Sequence, residues 1–262
     1  MRFNHCILLA CILLILIGAL ALLPVSDAHA LKVDEIVRRA LKQDEQARKV
    51  RKRYLYDLTV EIQKLGRDGH VRGRDVSRAV VEPQDQVFYP ISAEDGAQTA
   101  DKKKMRETQK RMAVMDLKKL APRFKFALAG TETVQGATCY IIRFTPKPNQ
   151  PYDSKEEKVV NQLHGAFWID RQTFSIVKSS GSLKKAVSVV PLIANMRELS
   201  FVYKTARLPN QTFAPASFQL LYDMQTPVSY VRRREVSHMA NYRSKEKMLK
   251  PAPSLAHHDP SR

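Results

Sequence analysis

The second half of the sequence is a run of strand-like segments, with no helix-length segment between consecutive strands. Alternating apolar and polar residues predict strands over 164–171, 174–183, 196–206, 212–224 and 228–239. Parallel neighbours would need a crossover connection of about a dozen residues or more, usually a helix, whereas antiparallel neighbours need only a turn. We therefore predict a meander that forms a strongly curved antiparallel sheet or partial barrel.

Helix and hairpin signals occupy the part of the chain that follows residue 30. Apolar residues at helical spacing predict an amphipathic helix over 33–53 with a basic C-terminal end. Alternation then predicts two antiparallel strands over 54–64 and 71–81. Asp68-Gly69 lies between them, and this dipeptide is a strong signal for a hairpin turn. The basic end of the helix fits a solvated face, and contact with an anionic surface is the alternative.

Between the hairpin and the meander lies a basic segment with a methionine-rich apolar stripe. Asp101 is a candidate N-cap for a helix that runs to about Leu120. Two strands over 124–131 and 139–145 follow, and a short helix is predicted to start at Ser154. The members of the stripe are Met105, Thr108, Met112, Met115 and Leu120. Such a stripe is more often core than an adaptable binding surface.

Residues 1–30 have the layout of a secretory signal peptide. Arg2 provides the positive start, and the sequence over 6–23 is almost unbroken apolar. Ala28 and Ala30 are the small residues of a cleavage site, so cleavage is predicted after Ala30 and export to the periplasm follows. An uncleaved membrane anchor is the alternative, because the apolar run approaches the roughly 20 residues that span a bilayer.

The chain is strongly basic. It contains 44 Lys and Arg against 26 Asp and Glu, a net charge of +18. Residues 1–30 contain one basic and one acidic residue, so their removal leaves the whole excess in place. A charge of this size implies an anionic partner. For an exported protein that partner is a phospholipid head group, lipopolysaccharide or peptidoglycan, and not nucleic acid.

Motifs of common catalytic and metal sites are absent from the sequence. It contains no phosphate-binding glycine loop, no Gly-x-Ser-x-Gly, no His-Glu-x-x-His and no Cys-x-x-Cys. Cys139 and His164 are a conceivable nucleophile and base, but both lie in strand patterns, which favours a buried structural thiol. We therefore predict no catalytic residue, no metal site and no cofactor, and hence no enzyme.

The patterns divide the chain into three parts. Residues 1–30 are the signal peptide, and residues 31–243 are predicted to form a single domain. The remaining residues, 244–262, are rich in Lys, Pro and His with little apolar content, so we predict a disordered basic tail.

Several motifs in the second half of the sequence resemble those of a known family. One strand ends in Pro-Lys-Pro at 146–148, a short charged helix follows, and the next strand reads Gly-x-x-Trp-Ile-Asp over 165–170. A further strand contains 197–201, and the closing strand ends in Asn-Tyr-Arg at 241–243. This succession is similar to that of the outer-membrane lipoprotein-sorting proteins with the LolA/LolB-like fold, over roughly residues 33–243.

The resemblance implies an α+β fold in which helices close the mouth of a half-open β-barrel. Its hydrophobic interior would take acyl chains of lipid or lipoprotein. Burying about fifteen methylene groups at about 0.8 kcal/mol each yields on the order of 12 kcal/mol, so an acyl chain crosses water only inside an apolar cavity. The resemblance thus implies a periplasmic, non-enzymatic carrier or binder. A sensor of envelope stress or a scaffold, acting through an envelope protein partner, is the alternative on the same fold.

The predicted lining of this cavity consists of apolar residues that share one face of their strands. Alternation leaves open whether that face encloses a cavity or packs a closed core. Trp168 has the opposite parity and is predicted to pack outside, beneath a helix. The lining residues are Phe144, Phe167, Ile169, Leu199, Phe201, Phe218, Leu220 and Tyr222.

Overall fold

The computed structural model describes residues 31–83, 87–90, 105–108, 117–190 and 194–245. The predicted signal peptide, the N-cap and middle of the methionine-rich helix, and most of the predicted tail lie outside these residues. None of the helices within the described ranges is both long enough and apolar enough to cross a membrane.

The described residues contain eleven strands, a few short helical segments and one long helix. In chain order they are α1 (Val33–Arg51), β1 (Tyr54–Leu65), β2 (Val71–Glu82), β3 (Val87–Pro90), a helical turn at 105–108, α2 (Leu117–Leu120), a 3₁₀ turn (Ala121–Arg123), β4 (Phe124–Val134), β5 (Ala137–Pro146), α3 (Lys155–Val160), β6 (Leu163–Asp170), β7 (Ile176–Leu183), β8 (Val187–Val190), β9 (Ala194–Arg207), β10 (Phe213–Gln225) and β11 (Tyr230–Ser244).

All eleven strands belong to one antiparallel sheet. Its order is β3-β2-β1-β11-β10-β9-β7-β6-β5-β4, and β8 pairs with the N-terminal part of β9. The two end strands of this order, β3 and β4, do not pair with each other in the described residues, so the sheet is open. The predicted α+β fold, a curved antiparallel sheet that does not close into a full barrel, is confirmed.

The last strand is longer than the sequence pattern predicts. β11 continues to Ser244, five residues past the end at 239 that alternation predicts and one past the end at 243 that the family resemblance implies, because the whole of β1 pairs with it. Lys245 follows and forms an ion pair with Glu82 of β2. The first two residues assigned to the tail are therefore part of the fold. This pairing joins the start of the chain to its end, and a local pattern cannot show it.

The helix α1 packs on the sheet through one apolar face, as its spacing predicts. Ile36 and Ala40 on that face are fully buried. Near the end of the helix, the Arg51 guanidinium donates to the Phe213 carbonyl of β10 at 3.2 Å. Burial raises the pKa of Tyr203 in β9 to about 12, and Arg51 is among the charged groups that act on this tyrosine. The C-terminal end of α1 is thus fixed over the centre of the sheet.

Described parts of the methionine-rich stripe are buried. Met105 and Thr108 are fully buried in the helical turn, and Leu120 at the end of α2 is 4% exposed. Met112 and Met115 lie outside the described residues. The interpretation of the stripe as core is correct for its described members.

Candidate functional site

The residues predicted to line a cavity share one face of the sheet, which we name the inner face. Directly opposite residues of antiparallel strands project to the same side. Strand register therefore defines a central row across the inner face. From β5 to β2 this row is Phe144, Gly165, Gly181, Phe201, Leu220, Glu235, Ile62 and Asp75.

Four of the eight predicted residues line an apolar cavity of about 240 Å³. The cavity lies between α3 and the inner face of β9 and β10. Its lining is apolar except for Glu156, an exposed residue of α3. The predicted members are Leu199, Phe218, Leu220 and Tyr222, and the other apolar members are Val159, Val160, Leu163, Met196 and Met224. The sequence patterns did not predict this second group. Met224 has the parity of Tyr222 on β10, whereas Met196 has the opposite parity to Leu199 and lies opposite Met224 because the strand register shifts between Asp223 and Met224.

The other four predicted residues are packed in a closed core instead of lining this cavity. Phe144, Phe167, Ile169 and Phe201 are each at most 4% exposed. The Phe144 ring contacts that of Phe167, with 4.9 Å between the ring centroids. The structure therefore combines both alternatives that alternation left open.

Two glycines allow this close packing. A Cβ atom on Gly165 would lie 2.0 Å from the Ser180 carbonyl oxygen and 2.8 Å from the Phe144 ring. One on Gly181 would lie 2.7 Å from the Phe201 ring. Because neither glycine has a side chain, the two phenylalanines lie directly on the sheet and leave no space at this part of the inner face.

The helix α3, which covers the apolar cavity, is held at both ends. The helix starts after Ser154, as predicted, and Ser154 caps it by accepting a hydrogen bond from the Glu157 N–H at 3.1 Å. Glu157 accepts from the Asp153 N–H at 2.9 Å, and this bond and the nearby Arg123 lower the pKa of its carboxyl. Asn161 at the C-terminal end accepts from Arg123 at 3.1 Å and donates to the Gln150 carbonyl at 3.0 Å. These contacts fix the roof of the cavity.

The other half of the inner face is polar, which the sequence patterns did not predict. A cavity of about 480 Å³ is lined there by charged residues of β1, β2 and β11 together with Glu107. Glu235 is 2% exposed, and its carboxylate accepts a hydrogen bond from the Thr108 hydroxyl at 2.5 Å. Alternation could have revealed this half, because Arg233 and Glu235 share the parity of the buried Met239.

Tyr222 connects the two halves, because its side chain lines both the apolar and the polar cavity. It lies opposite Leu199 of β9 on one side and opposite Arg233 of β11 on the other. The phenolic ring thus marks the boundary at which the lining changes from aliphatic to charged.

The structure separates the conceivable nucleophile from the conceivable base. Cys139 of β5 is fully buried and lies opposite Asp170, which is at the C-terminal end of β6. His164 is near the N-terminal end of β6, six residues and therefore about 20 Å along the strand from Asp170. Burial, with a further contribution from the Asp170 carboxylate, raises the pKa of the Cys139 thiol to about 11. A thiol in this state is a poor nucleophile at neutral pH.

Trp168 lies on the side of β6 opposite the inner face, as its parity predicts. Its indole N–H donates to the Glu132 carboxylate of β4 at 2.6 Å, and the Lys178 ammonium of β7 lies 4.0 Å from its ring. Both partners are strand residues, so the polar and ring contacts of Trp168 come from neighbouring strands and not from the predicted helix.

Comparison with known proteins yields similarity at the level of structure. No family model and no curated protein matches the sequence. A DUF1329 family protein from Desulfovibrio piger is 13% identical, with 81% of this chain and 93% of that chain covered and a TM-score of 0.34. A putative outer membrane lipoprotein-sorting protein domain from Vibrio parahaemolyticus is 10% identical, with 80% and 93% covered and a TM-score of 0.33.

A third similar structure is a LolA superfamily protein from Nitrosomonas europaea. It is 11% identical, with 85% of this chain and 99% of that chain covered and a TM-score of 0.32. Two of the three similar structures are thus described as a lipoprotein-sorting domain and a LolA superfamily protein.

Proposed function

We propose that this protein is an exported, non-enzymatic binder of acyl chains that carries part of a lipid or lipoprotein in the cavity beneath α3. The observation that supports this most is the lining of that cavity, which is apolar except for Glu156. An apolar cavity with a small number of polar groups in its lining is typical of a binding site for a hydrophobic ligand. The signal-like segment 1–30 supports export to the periplasm.

The size of the cavity limits what it can hold. A methylene group is about the size of a water molecule, whose share of liquid volume is about 30 Å³. The cavity of about 240 Å³ therefore accommodates about eight methylene groups. At about 0.8 kcal/mol each they contribute on the order of 6 kcal/mol, before the entropic cost of binding. Binding of this strength is reversible, which a carrier requires.

The chemistry of the described residues supports a binder over a hydrolase. Cys139 is buried and protonated at neutral pH, and His164 is remote from it. Full activity of a Cys139→Ala variant on a lipid or glycan substrate would exclude this cysteine as a nucleophile.

The proposal is tested by filling the cavity. Met196 and Met224 lie opposite each other at its margin and are half-buried, so Met196→Trp and Met224→Trp add bulk without entering the closed core. We expect each to weaken binding of a fluorescent fatty acid at least tenfold. The matched control is Val202→Trp on the outer face of β9, also half-buried, which leaves binding unchanged.

Mass spectrometry of the native protein purified from the cell envelope provides the direct measurement. Copurified acyl lipid that is absent from the Met196→Trp variant supports the proposal. Protein without lipid, combined with no uptake of the fluorescent fatty acid, contradicts it.

One observation favours the scaffold as a second candidate. β4 is a terminal strand of the sheet, and most of its residues are exposed, including Leu128 at 44%. An exposed edge can accept a strand of a partner protein through main-chain hydrogen bonds. Cross-linking in cells that recovers one inner-membrane regulator and no lipoprotein would favour this function.

A further inference from the structure

A second side of α3 borders a groove that is lined by basic and neutral residues. The groove has a volume of about 600 Å³ and is formed by the proline-rich segment 146–152, the end of α3 and residues 184–188. No acidic residue is among its described lining residues. Its four cationic members are Lys147, Lys158, Lys184 and Lys185.

These lysines have no carboxylate partner among the described residues. The Lys147 ammonium donates to the Pro122 carbonyl at 2.9 Å, and that of Lys158 lies 5.4 Å from the centre of the Tyr152 ring. Lys184 and Lys185 are exposed. Several like charges around one concave surface repel each other and focus a positive potential into it. An anion that enters the groove removes this repulsion, so the site gains free energy by binding one.

Hydrogen bonds hold together the segments that form the walls of the groove. Asn161 is 8% exposed, and its amide donates to the carbonyls of Gln150 and Pro151 at 3.0 and 3.3 Å. The Arg123 guanidinium also donates to Pro151, at 2.7 Å. Across the groove, the backbone N–H of Lys184 donates to the Gln162 carbonyl at 2.8 Å. The three segments are thus tied together before any ligand binds.

We propose that this lysine groove binds the phosphate group of an anionic phospholipid head group. A lysine ammonium binds phosphate as a compact point charge, and several of them around one concavity suit a tetrahedral anion better than a planar one. The groove shares α3 with the apolar cavity, so a head group in it lies next to an acyl-binding site. The net charge of +18 favours the approach of the whole molecule to an anionic membrane.

The test uses the chain without residues 1–30 and vesicles of phosphatidylglycerol mixed with phosphatidylcholine. The variant Lys184→Gln/Lys185→Gln removes two charges from the groove and keeps the backbone hydrogen bond of Lys184. The matched control, Lys42→Gln/Lys49→Gln, removes the same charge from exposed positions of α1. We expect the groove variant to lower vesicle affinity at least tenfold and the control at most about twofold. Equal losses in the two variants, or no loss in the groove variant, overturn the proposal.

Calorimetry with inorganic phosphate distinguishes the source of the anion. If phosphate binds the groove but vesicle affinity does not depend on Lys184 and Lys185, the site serves a free anion and the lipid proposal is wrong. Binding of the fluorescent fatty acid, measured on the same variant, is expected to be unchanged. The proposal of phosphate binding in the groove and that of acyl-chain binding in the apolar cavity can therefore be contradicted independently of each other.

Discussion

The inner face of the sheet consists of two halves that differ in packing and in charge. From β5 to β10 the central row contains phenylalanine, glycine and leucine; the side chains close over the sheet from β5 to β9, and Leu220 of β10 lines the apolar cavity. From β11 to β2 the same row contains Glu235 and Asp75, and a cavity of about 480 Å³ lies above it. The change occurs between Leu220 and Glu235, which are directly opposite each other.

This difference shows that the apolar cavity beneath α3 has a chemical boundary as well as a steric one. Burying a carboxylate costs free energy unless hydrogen bonds compensate it, and Thr108 supplies one such bond to Glu235. An apolar chain that moved beyond Tyr222 would lie against these charged groups. Under the proposed function, the polar half therefore limits a bound acyl chain to the space beneath α3.

The largest expected effect comes from truncating the closed half. Phe144→Ala removes a ring that is 2% exposed and in contact with two other phenylalanines, so we expect a loss of about 4 kcal/mol in the free energy of unfolding. Met224→Ala, at the half-buried margin of the cavity, should cost about 1 kcal/mol. Urea unfolding measures both values. Equal losses would show that the two regions are packed alike.

The glycines provide a second comparison between the halves. Gly165→Ala places a Cβ atom 2.0 Å from the Ser180 carbonyl oxygen, so the backbone must shift, and we expect a loss of about 3 kcal/mol. Gly73 of β2 is the control in the polar half, because its Cβ would meet only the Lys64 side chain at 3.7 Å. Gly73→Ala should therefore change stability by less than about 0.5 kcal/mol. A larger effect at Gly73 would contradict the proposed difference in packing.

A third prediction concerns the hydrogen bonds of two buried threonines. Thr108→Val removes a hydroxyl that donates to the Glu235 carboxylate, and a bond to a charged group is worth about 2 kcal/mol. Thr205→Val removes a hydroxyl that donates to the neutral carbonyls of Ile176 and Val177, and the expected loss of stability is about 1 kcal/mol. Thermal unfolding of the two variants measures the difference. A smaller loss for Thr108→Val than for Thr205→Val would contradict the larger contribution assigned to the Thr108–Glu235 hydrogen bond.

The sequence predicts the sheet better than it predicts the site. The alternation of β9 and β10 is local, so it correctly assigns Leu199, Phe201 and Leu220 to one face. Whether a residue on that face lines a cavity depends on what covers it, which is set by contacts between distant segments. Phe201 is in the closed core because Gly181 lies opposite it, whereas Leu199 lies beneath α3.

The polar half shows a second limit of the sequence pattern. Glu235 and Asp75 face the interior because β11 pairs with β1, the first strand of the chain, and β1 pairs with β2. A charged residue in an alternating strand is normally assigned to the solvent side. Long-range register reverses that assignment here, and the parity that Glu235 shares with the apolar Met239 is its local signal.

The smallest expected effect tests the margin of the closed half, where Cys139 is buried beside Asp170. The folded-state pKa of its thiol is about 11, raised from a reference value of 9.0, so folding favours the protonated thiol. Its contribution to stability is complete below pH 9 and is lost as the pH rises from 9 to 11, because the unfolded chain releases its proton first. At pH 10 we expect a loss of about 1 kcal/mol relative to pH 8. Urea unfolding of the protein and of Cys139→Ala at both pH values isolates this loss, and an identical pH dependence in the two proteins would show that the thiol titrates normally.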